Sequence, residues 1–457
     1  MKAPSAIFRA YDIRGVVGQD ITAELAYLIG RAIGSEAHER GQRRVVVGRD
    51  GRLSGPQLLA ELSRGLVASG REVVDIGEVP TPLLYFATHH LHTGSGVMLT
   101  GSHNPPEYNG FKIVLDGETL AEQSIKDLCE RIDQQDFVTG SGSVQQANVK
   151  AAYMDRIAND VTLTRRLKIV VDCGNGVESQ FAPALLRRMG CDVTELFCDV
   201  DGHFPNHHPD PSQPENLRDL IVKVRETGAD VGLAFDGDGD RLGVVDGHGN
   251  IIWPDRLMML YAKELLAHHS GAQIVFDVKC TRHLGGVIAN YGGQPLMWKS
   301  GHSLIKNKMR QTGALLGGEL TGHFFFKDRW YGFDDGLYAA ARLLEIVAAD
   351  SRSVRDIFAA FPDGVNTHEL HIAFVEGEQL HFMQRLLTEG EFVNAKVTCI
   401  DGLRADFPNG WGLVRASNTM PCLTLRFEGE DQESLSAIQE LFRAQLLKIS
   451  PTLNLPF

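Results

Sequence analysis

The sequence predicts an α/β protein with three units of similar size built from alternating strands and helices, followed by a smaller α+β unit. Three observations predict it. The chain has 457 residues, enough for two to four domains at roughly 100–200 residues each. Short apolar runs ending in glycine turns alternate three times over with amphipathic stretches, the rhythm of βαβ units on a largely parallel sheet. From about Val365 the texture changes to alternating, half-exposed strands set apart from helices. Units 1–148, 149–250, 251–362 and 363–457 are expected.

The first unit opens with Phe8–Gly15 (FRAYDIRG), where Tyr11, Asp12 and Arg14 crowd against aromatics and Gly15 and Gly18 turn the chain. Thr22 starts a helix that Gly41 closes, with Leu25, Leu28, Ile29, Ala32 and Ile33 at helical spacing. Val45–Val47 reads as a buried strand, Ser54 as the cap of a helix over 56–69, and 73–77 as a second strand. Val97-Met98-Leu99 is a third, broken at once by Thr100-Gly101-Ser102-His103-Asn104-Pro105-Pro106. Leu120–Ile132 is amphipathic, and Thr139-Gly140-Ser141-Gly142-Ser143 has the composition of a linker before a bridging helix over 149–157.

The second unit repeats the rhythm: a strand over 167–172, a helix over 182–189, a strand over 193–197 and a loop over 206–214. A helix over 215–227 follows, then a strand over 230–235 aimed into Asp236-Gly237-Asp238-Gly239-Asp240-Arg241. In the third, a mostly helical 251–267 precedes a strand over 274–277 and a short helix over 285–289. Runs ending at Lys299 and Glu319 then open into loops, and a helix spans 336–348. The tail holds a strand over 368–375, a helix over 379–387 and a strand over 421–427.

Apolar residues make up 43% and charged residues 23%, which excludes a disordered chain. The net charge of −13 disfavours a general nucleic-acid coat. It leaves room for a small anionic substrate met by local arginines. Seven cysteines without a CxxC pair suit a reducing compartment rather than a disulfide framework. Without an apolar leader or an eighteen-residue apolar span, neither secretion nor membrane crossing is expected, and the cytoplasm is the expected location.

The acidic loop carries the strongest chemical signal. Three carboxylates at alternate positions, spaced by glycines, can turn toward one centre and repel one another unless a cation sits between them. All-oxygen ligands favour Mg²⁺ or Ca²⁺ over Zn²⁺. A calcium EF-hand is excluded, since the sixth position is Arg241 and the twelfth Gly247, where Gly and Glu are required. A solvated acidic turn is the plain alternative.

Ser102, lifted off a strand end between Gly101 and His103, is a candidate nucleophile, although serine in such a turn is more often a turn former. The GxSxG elbow of a hydrolase is absent. Lys112 could reach the serine oxygen or merely snorkel to the surface. Glu319 and Thr321 offer an acid and a hydroxyl for sugar hydroxyls, or else a helix-capping turn. Lys279, His302 and His323 follow strand ends, where three basic groups together suit an anion. Arg415-Ala416-Ser417-Asn418-Thr419 combines a planar donor fork with neutral donors, as a phosphate clamp requires; an ordinary polar turn is the alternative.

Taken in order, these loops resemble the α-D-phosphohexomutase family over essentially the whole chain. The resemblance implies three related mixed-sheet α/β domains and a smaller α+β C-terminal domain around a central cleft. It implies reversible interconversion of hexose 1- and 6-phosphates of mannose and glucose through a phosphoserine and a hexose 1,6-bisphosphate. Relatives feed exopolysaccharide and lipopolysaccharide synthesis. The match implies Ser102 as phosphate carrier, Asp236, Asp238 and Asp240 as Mg²⁺ ligands with an oxygen of Ser102, and Glu319 and Thr321 as the sugar-reading pair. Relatives usually carry Ser where Thr321 stands. Arg415, Ser417, Asn418 and Thr419 match the distal phosphate site. Tyr11, Arg14, Lys112, Arg241, Lys279, His302 and His323 fall where relatives line the cleft. Lys112, Arg241 and His302 are expected to assist transfer, with Lys112 or His302 handling the hydroxyl proton. Glucose 1,6-bisphosphate is expected as activator, hexose phosphates as the partners, and a monomer as the state. The rivals are a metal-dependent sugar-phosphate phosphohydrolase and a non-catalytic sugar-phosphate-binding protein.

Overall fold

A computed structural model of the chain describes residues 2–375, 377–417 and 421–457. It contains four sheets, and three of them repeat one plan. In the first, strands Arg44–Arg49, Glu72–Glu78 and Gly96–Leu99 run parallel, joined by helices Gly55–Ala68 and Thr81–His90. Tyr108–Leu115 then returns antiparallel beside Gly96–Leu99. In the second, Lys168–Asp172, Asp192–Leu196 and Val231–Phe235 are parallel, and Leu242–Asp246 returns antiparallel. In the third, Gln273–Asp277, Gln294–Trp298 and Leu316–Gly318 are parallel, and Phe324–Phe326 returns antiparallel. The sheets are therefore mixed, as the resemblance implies: parallel βαβ strands with an antiparallel return. Each returning strand needs only a short loop, whereas parallel neighbours need a helical crossover.

The repeat decides where chemistry can sit. The loop between the last parallel strand and its antiparallel return is the Ser102 loop in the first unit and the three-aspartate loop in the second. In the third it is the Glu319–His323 loop. All three leave the carboxyl ends of parallel strands, the edge at which open α/β sheets bind ligands. The fourth sheet is antiparallel among the described residues, with Cys422–Gly429 between Gly410–Ala416 and Leu370–Ala373, backed by helices Glu378–Glu389 and Gln432–Ile449.

Burial explains the elements. The strands Val231–Phe235 and Gly96–Leu99 are buried throughout, which is why they read as continuous apolar runs. Helix Ala23–Glu39 packs on helix Gly55–Ala68 where Gly30 faces Gly65. A Cβ on Gly65 would lie 2.2 Å from the Tyr27 carbonyl, so glycine sets that close approach. Thr22 caps the first helix, accepting from the Leu25 amide at 3.1 Å.

Several expectations need correction. The segment 139–143 is no linker: Gly140 and Gly142 donate to the Ala68 and Val67 carbonyls, and Ser143–Gln146 pairs parallel with Glu72–Glu78. A Cβ on Gly142 would sit 2.0 Å from the Arg71 carbonyl, so its glycines serve tight packing rather than slack. Ser54 does not cap its helix; it accepts from Asn109 at 2.8 Å and thereby ties the helix start to the serine-loop strand. Gly15 lies within strand Ile13–Val16 rather than at a turn. The helices expected from 215 and 251 start at Arg218 and Pro254, after a 3₁₀ turn and a two-residue strand. Helix His302–Thr312 was not expected, because its buried Leu304, Ile305 and Met309 lie among lysines, asparagine and arginine. Among the described residues, no helix is long and apolar enough to cross a membrane.

Candidate active site

The three equivalent loops converge. Ser102 is 1% exposed and adopts φ +49°, the left-handed region that few non-glycine residues occupy. Thr100 Oγ1 accepts from its amide at 2.7 Å and in turn donates to Asp50 at 2.7 Å. The fully buried Arg52 guanidinium gathers the rest of the loop, donating to the carbonyls of Ser102, Asn104, Pro105 and Tyr108 at 2.5–3.0 Å. A rigid floor of this kind is what a group-transfer site requires. Neither Asp50 nor Arg52 was expected from the sequence: both sit in a polar turn, GRDGRLSG, where composition does not separate a buried organiser from a solvated charge.

The acidic loop abuts this floor. The Ser102 hydroxyl donates to Asp236 at 3.1 Å and lies 3.2 Å from His103 Nδ1. A Cβ on Gly237 would come 2.5 Å from the Ser102 carbonyl, so glycine there lets the two loops touch. Asp236, Asp238 and Asp240 are completely buried, and together they could hold a metal ion. Lys112 donates to Asp238 at 2.7 Å and also to Asp240. Thr81 donates to Asp238 at 2.5 Å. These bonds use Oδ2 of Asp238 and Asp240; Oδ1 of Asp240 faces His323 Nε2 at 3.2 Å, while Oδ1 of Asp238 is buried with no hydrogen-bond partner among the described residues. Burial and the charges of Asp240 and Asp238 push the Asp236 carboxyl far above the usual range. Lys112 alone therefore does not balance the triad. The orphaned Asp238 Oδ1 and three buried carboxylates able to turn oxygens to one centre fit a divalent cation bound through hard oxygen ligands.

Burial opposes the Lys112 ammonium, but Asp238 and Asp240 outweigh it and hold the group charged. Arg241 donates its amide to Asp236 at 3.1 Å, and its Nε lies 3.3 Å from His323 Nε2. His323 also approaches Asp240 and Glu319 at 3.2 Å each; burial acts against its charge, yet these carboxylates lift its pKa to about 9. Burial, then Lys306 and Lys112, hold His302 neutral, and its Nδ1 lies 3.5 Å from Asp334. Glu319 accepts from the Gly301 amide at 2.6 Å, and Tyr11 donates to the Ser300 carbonyl at 2.7 Å. Gly301, at φ +135°, lies where a Cβ would meet the Tyr11 ring at 2.4 Å.

A cleft of about 580 Å³ opens above these loops. Ser102, Lys112, Tyr11 and Arg14 face it from the first unit, Arg241 from the second, and Lys279, His302, Glu319, Thr321 and His323 from the third. Arg415 and Ser417 face it from the fourth, with Arg415 Nε donating to Asp401 at 3.1 Å and its Nη2 buried without a partner among the described residues. Asn418 and Thr419 lie outside the described residues. The cleft also gathers Asp210, Glu369 and His371, which no motif had marked.

Helix Gly336–Ala349 buttresses the acidic loop, its first amide donating to the Gly239 carbonyl at 3.1 Å. Its cap Asp335 accepts from the Tyr338 amide and the Tyr153 hydroxyl at 2.8 and 2.9 Å, and burial lifts its pKa from 3.8 to about 7. A carboxyl raised in the folded state stabilises the fold fully only below its unfolded pKa, and that contribution is lost as pH rises toward the folded value. Asp335→Asn keeps both acceptances without the charge. We expect thermal melting of this variant to exceed that of the parent at about pH 8, with the gap narrowing toward about pH 5.

Four successive family models match the chain. Phosphoglucomutase/phosphomannomutase alpha/beta/alpha domains I, II and III match residues 5–139, 151–249 and 253–364, and the C-terminal domain of that family matches 372–445. The chain belongs to the phosphoglucomutase/phosphomannomutase family. It is 56% identical over 454 residues to a phosphomannomutase/phosphoglucomutase of Pseudomonas aeruginosa, covering 99% of this chain and 98% of the relative. A phosphoglucomutase of Neisseria gonorrhoeae is 51% identical, with 98% of each covered. The crystal structure of a phosphoglucomutase/phosphomannomutase family protein from Burkholderia thailandensis superposes with a TM-score of 0.94 at 51% identity, covering 99% of both chains. The family fold and its four-part order thus agree with the architecture described above.

Proposed function

We propose that this chain interconverts the 1- and 6-phosphates of mannose and glucose, with Ser102 as the phosphoryl carrier and the four units 1–148, 149–250, 251–362 and 363–457 as its walls. The observation that carries the proposal is one cleft lined both by Ser102, whose hydroxyl donates to Asp236 of the acidic triad, and by Arg415, whose Nη2 has no partner among the described residues. A serine hydroxyl beside three carboxylates can hold a phosphoryl group only with added positive charge, and an arginine from the fourth unit in the same cleft can hold a second phosphate.

The substrate phosphate docks at Arg415 and Ser417, with Asn418 and Thr419 assigned to the same clamp. Glu319 and Thr321 receive sugar hydroxyls, and Tyr11, Arg14, Lys279 and His323 line the route. The free sugar hydroxyl attacks the phosphoryl group on Ser102, giving a hexose 1,6-bisphosphate. This turns end for end, and the Ser102 oxygen takes back the other phosphate. Asp236, Asp238 and Asp240 would hold magnesium, which supplies positive charge beside the transferring oxygens when bound. Lys112 and Arg241 add charge to the same region. Because Lys112 is held charged, it cannot accept a proton, which supports neutral His302 as the acceptor of the hydroxyl proton. Glucose 1,6-bisphosphate would restore a carrier that had lost its phosphate.

The test supplies glucose 1-phosphate or mannose 1-phosphate with Mg²⁺ and a trace of glucose 1,6-bisphosphate. Both 6-phosphates are expected to form without stoichiometric inorganic phosphate. Stoichiometric phosphate release would indicate a phosphohydrolase, and binding without turnover a sugar-phosphate receptor.

A further inference from the structure

The cations of the cleft are not free. Arg14 pairs with Asp12, Lys112 with Asp238, Arg241 with Asp210 at 3.6 Å, Lys279 with Glu369 at 2.8 Å, and Arg415 with Asp401 at 3.1 Å. Most of these carboxylates are held by something else as well. Asp238 accepts from Thr81, Asp401 from the Ser300 amide at 2.9 Å, and Asp210 from Ser212 at 2.7 Å.

Glu369 is the most exposed of these carboxylates: its side chain is 28% exposed and lines the cleft, with Lys279 as its ion-pair partner, whereas Asp12, paired with Arg14, is 6% exposed. Its charge is felt at both Lys279 and Arg415, the two cations that also repel each other across this wall. A phosphate dianion entering between them must compete with that carboxylate.

We propose that Glu369 is a built-in competitor for the substrate phosphate, occupying Lys279 in the free protein and weakening the grip of Lys279 and Arg415 on a bound phosphate. The inference rests on the phosphate site proposed above. It has a mechanistic consequence. A mutase whose intermediate carries two phosphates must hold each well enough to align it and loosely enough to let the sugar turn. A carboxylate beside the clamp, with no backbone donor holding it among the described residues, offers the cations an alternative partner at the moment of release. Carboxylates that merely fold the loop, such as Asp401, cannot do this because their backbone bonds fix them.

Glu369→Gln preserves size and hydrogen bonding and removes the charge. With the full chain and Mg²⁺, calorimetric titration with glucose 1-phosphate should show a Kd about tenfold lower than the parent, the effect of deleting one like charge near a buried phosphate. Steady-state assays should show KM falling together with kcat, because the intermediate leaves its grip more slowly. Glu369→Asp, which withdraws the charge without deleting it, should lie between, and serves also if the glutamine variant fails to fold. Unchanged or weaker binding in these variants would overturn the proposal and make Glu369 a structural partner of Lys279 or a sugar ligand. Failure of the parent to isomerise glucose 1-phosphate would sink the mutase reading instead, and the binding comparison would still be read by itself.

Discussion

Ser102→Ala is expected to fold normally and to lose hexose-phosphate isomerisation by at least about 10³-fold, the scale seen when a group acting only in the chemical step is removed. The structure separates the two effects. The loop is held by Arg52, Asp50 and Thr100 through backbone carbonyls and amides, none of which needs the Ser102 hydroxyl. The hydroxyl itself contacts only Asp236 and His103 among the described residues. Circular dichroism and melting temperature should therefore match the parent while the coupled assay for glucose 6-phosphate falls to background. An alanine variant that still turns over at a comparable rate would remove the serine from the chemistry.

The second large effect concerns the triad. Asp238→Asn keeps an acceptor for Thr81 and Lys112 but removes one charge and one metal ligand. Activity at fixed Mg²⁺ is expected to fall by about 10²–10³-fold, with part of the loss recovered as Mg²⁺ is raised. The parent should gain thermal stability on adding Mg²⁺ and lose it with a chelator, because a ligand that binds only the folded state stabilises it by mass action. The variant should gain little at the same concentration. Equal stabilisation of both proteins would mean that the cation binds elsewhere.

Much of this site was legible because its loops advertise themselves. A buried strand running straight into Asp-Gly-Asp-Gly-Asp, or into Thr-Gly-Ser-His-Asn, has no structural reason to end so, and the structure brings both turns to one point. The repeat was legible from rhythm, though the short return strand Phe324–Phe326 was not: three phenylalanines just beyond the loop that follows Leu316–Gly318 show no alternation to mark an antiparallel partner. The counter-charges were invisible. Arg52, Glu369 and Asp401 are ordinary charged residues in ordinary turns, and only folding places them under Ser102, beside Lys279 and against Arg415. The linker-like 139–143 shows the opposite error, since glycine and serine serve flexible spacers and tight backbone contacts alike.

The most direct test follows the phosphoryl group itself. Protein charged at Ser102 with radiolabelled phosphate from labelled glucose 1,6-bisphosphate is freed of sugar and mixed with unlabelled glucose 1-phosphate and Mg²⁺ in a single turnover. The label should leave the protein and appear in hexose bisphosphate and hexose 6-phosphate. Label that stays on the protein, or emerges only as inorganic phosphate, would contradict the account.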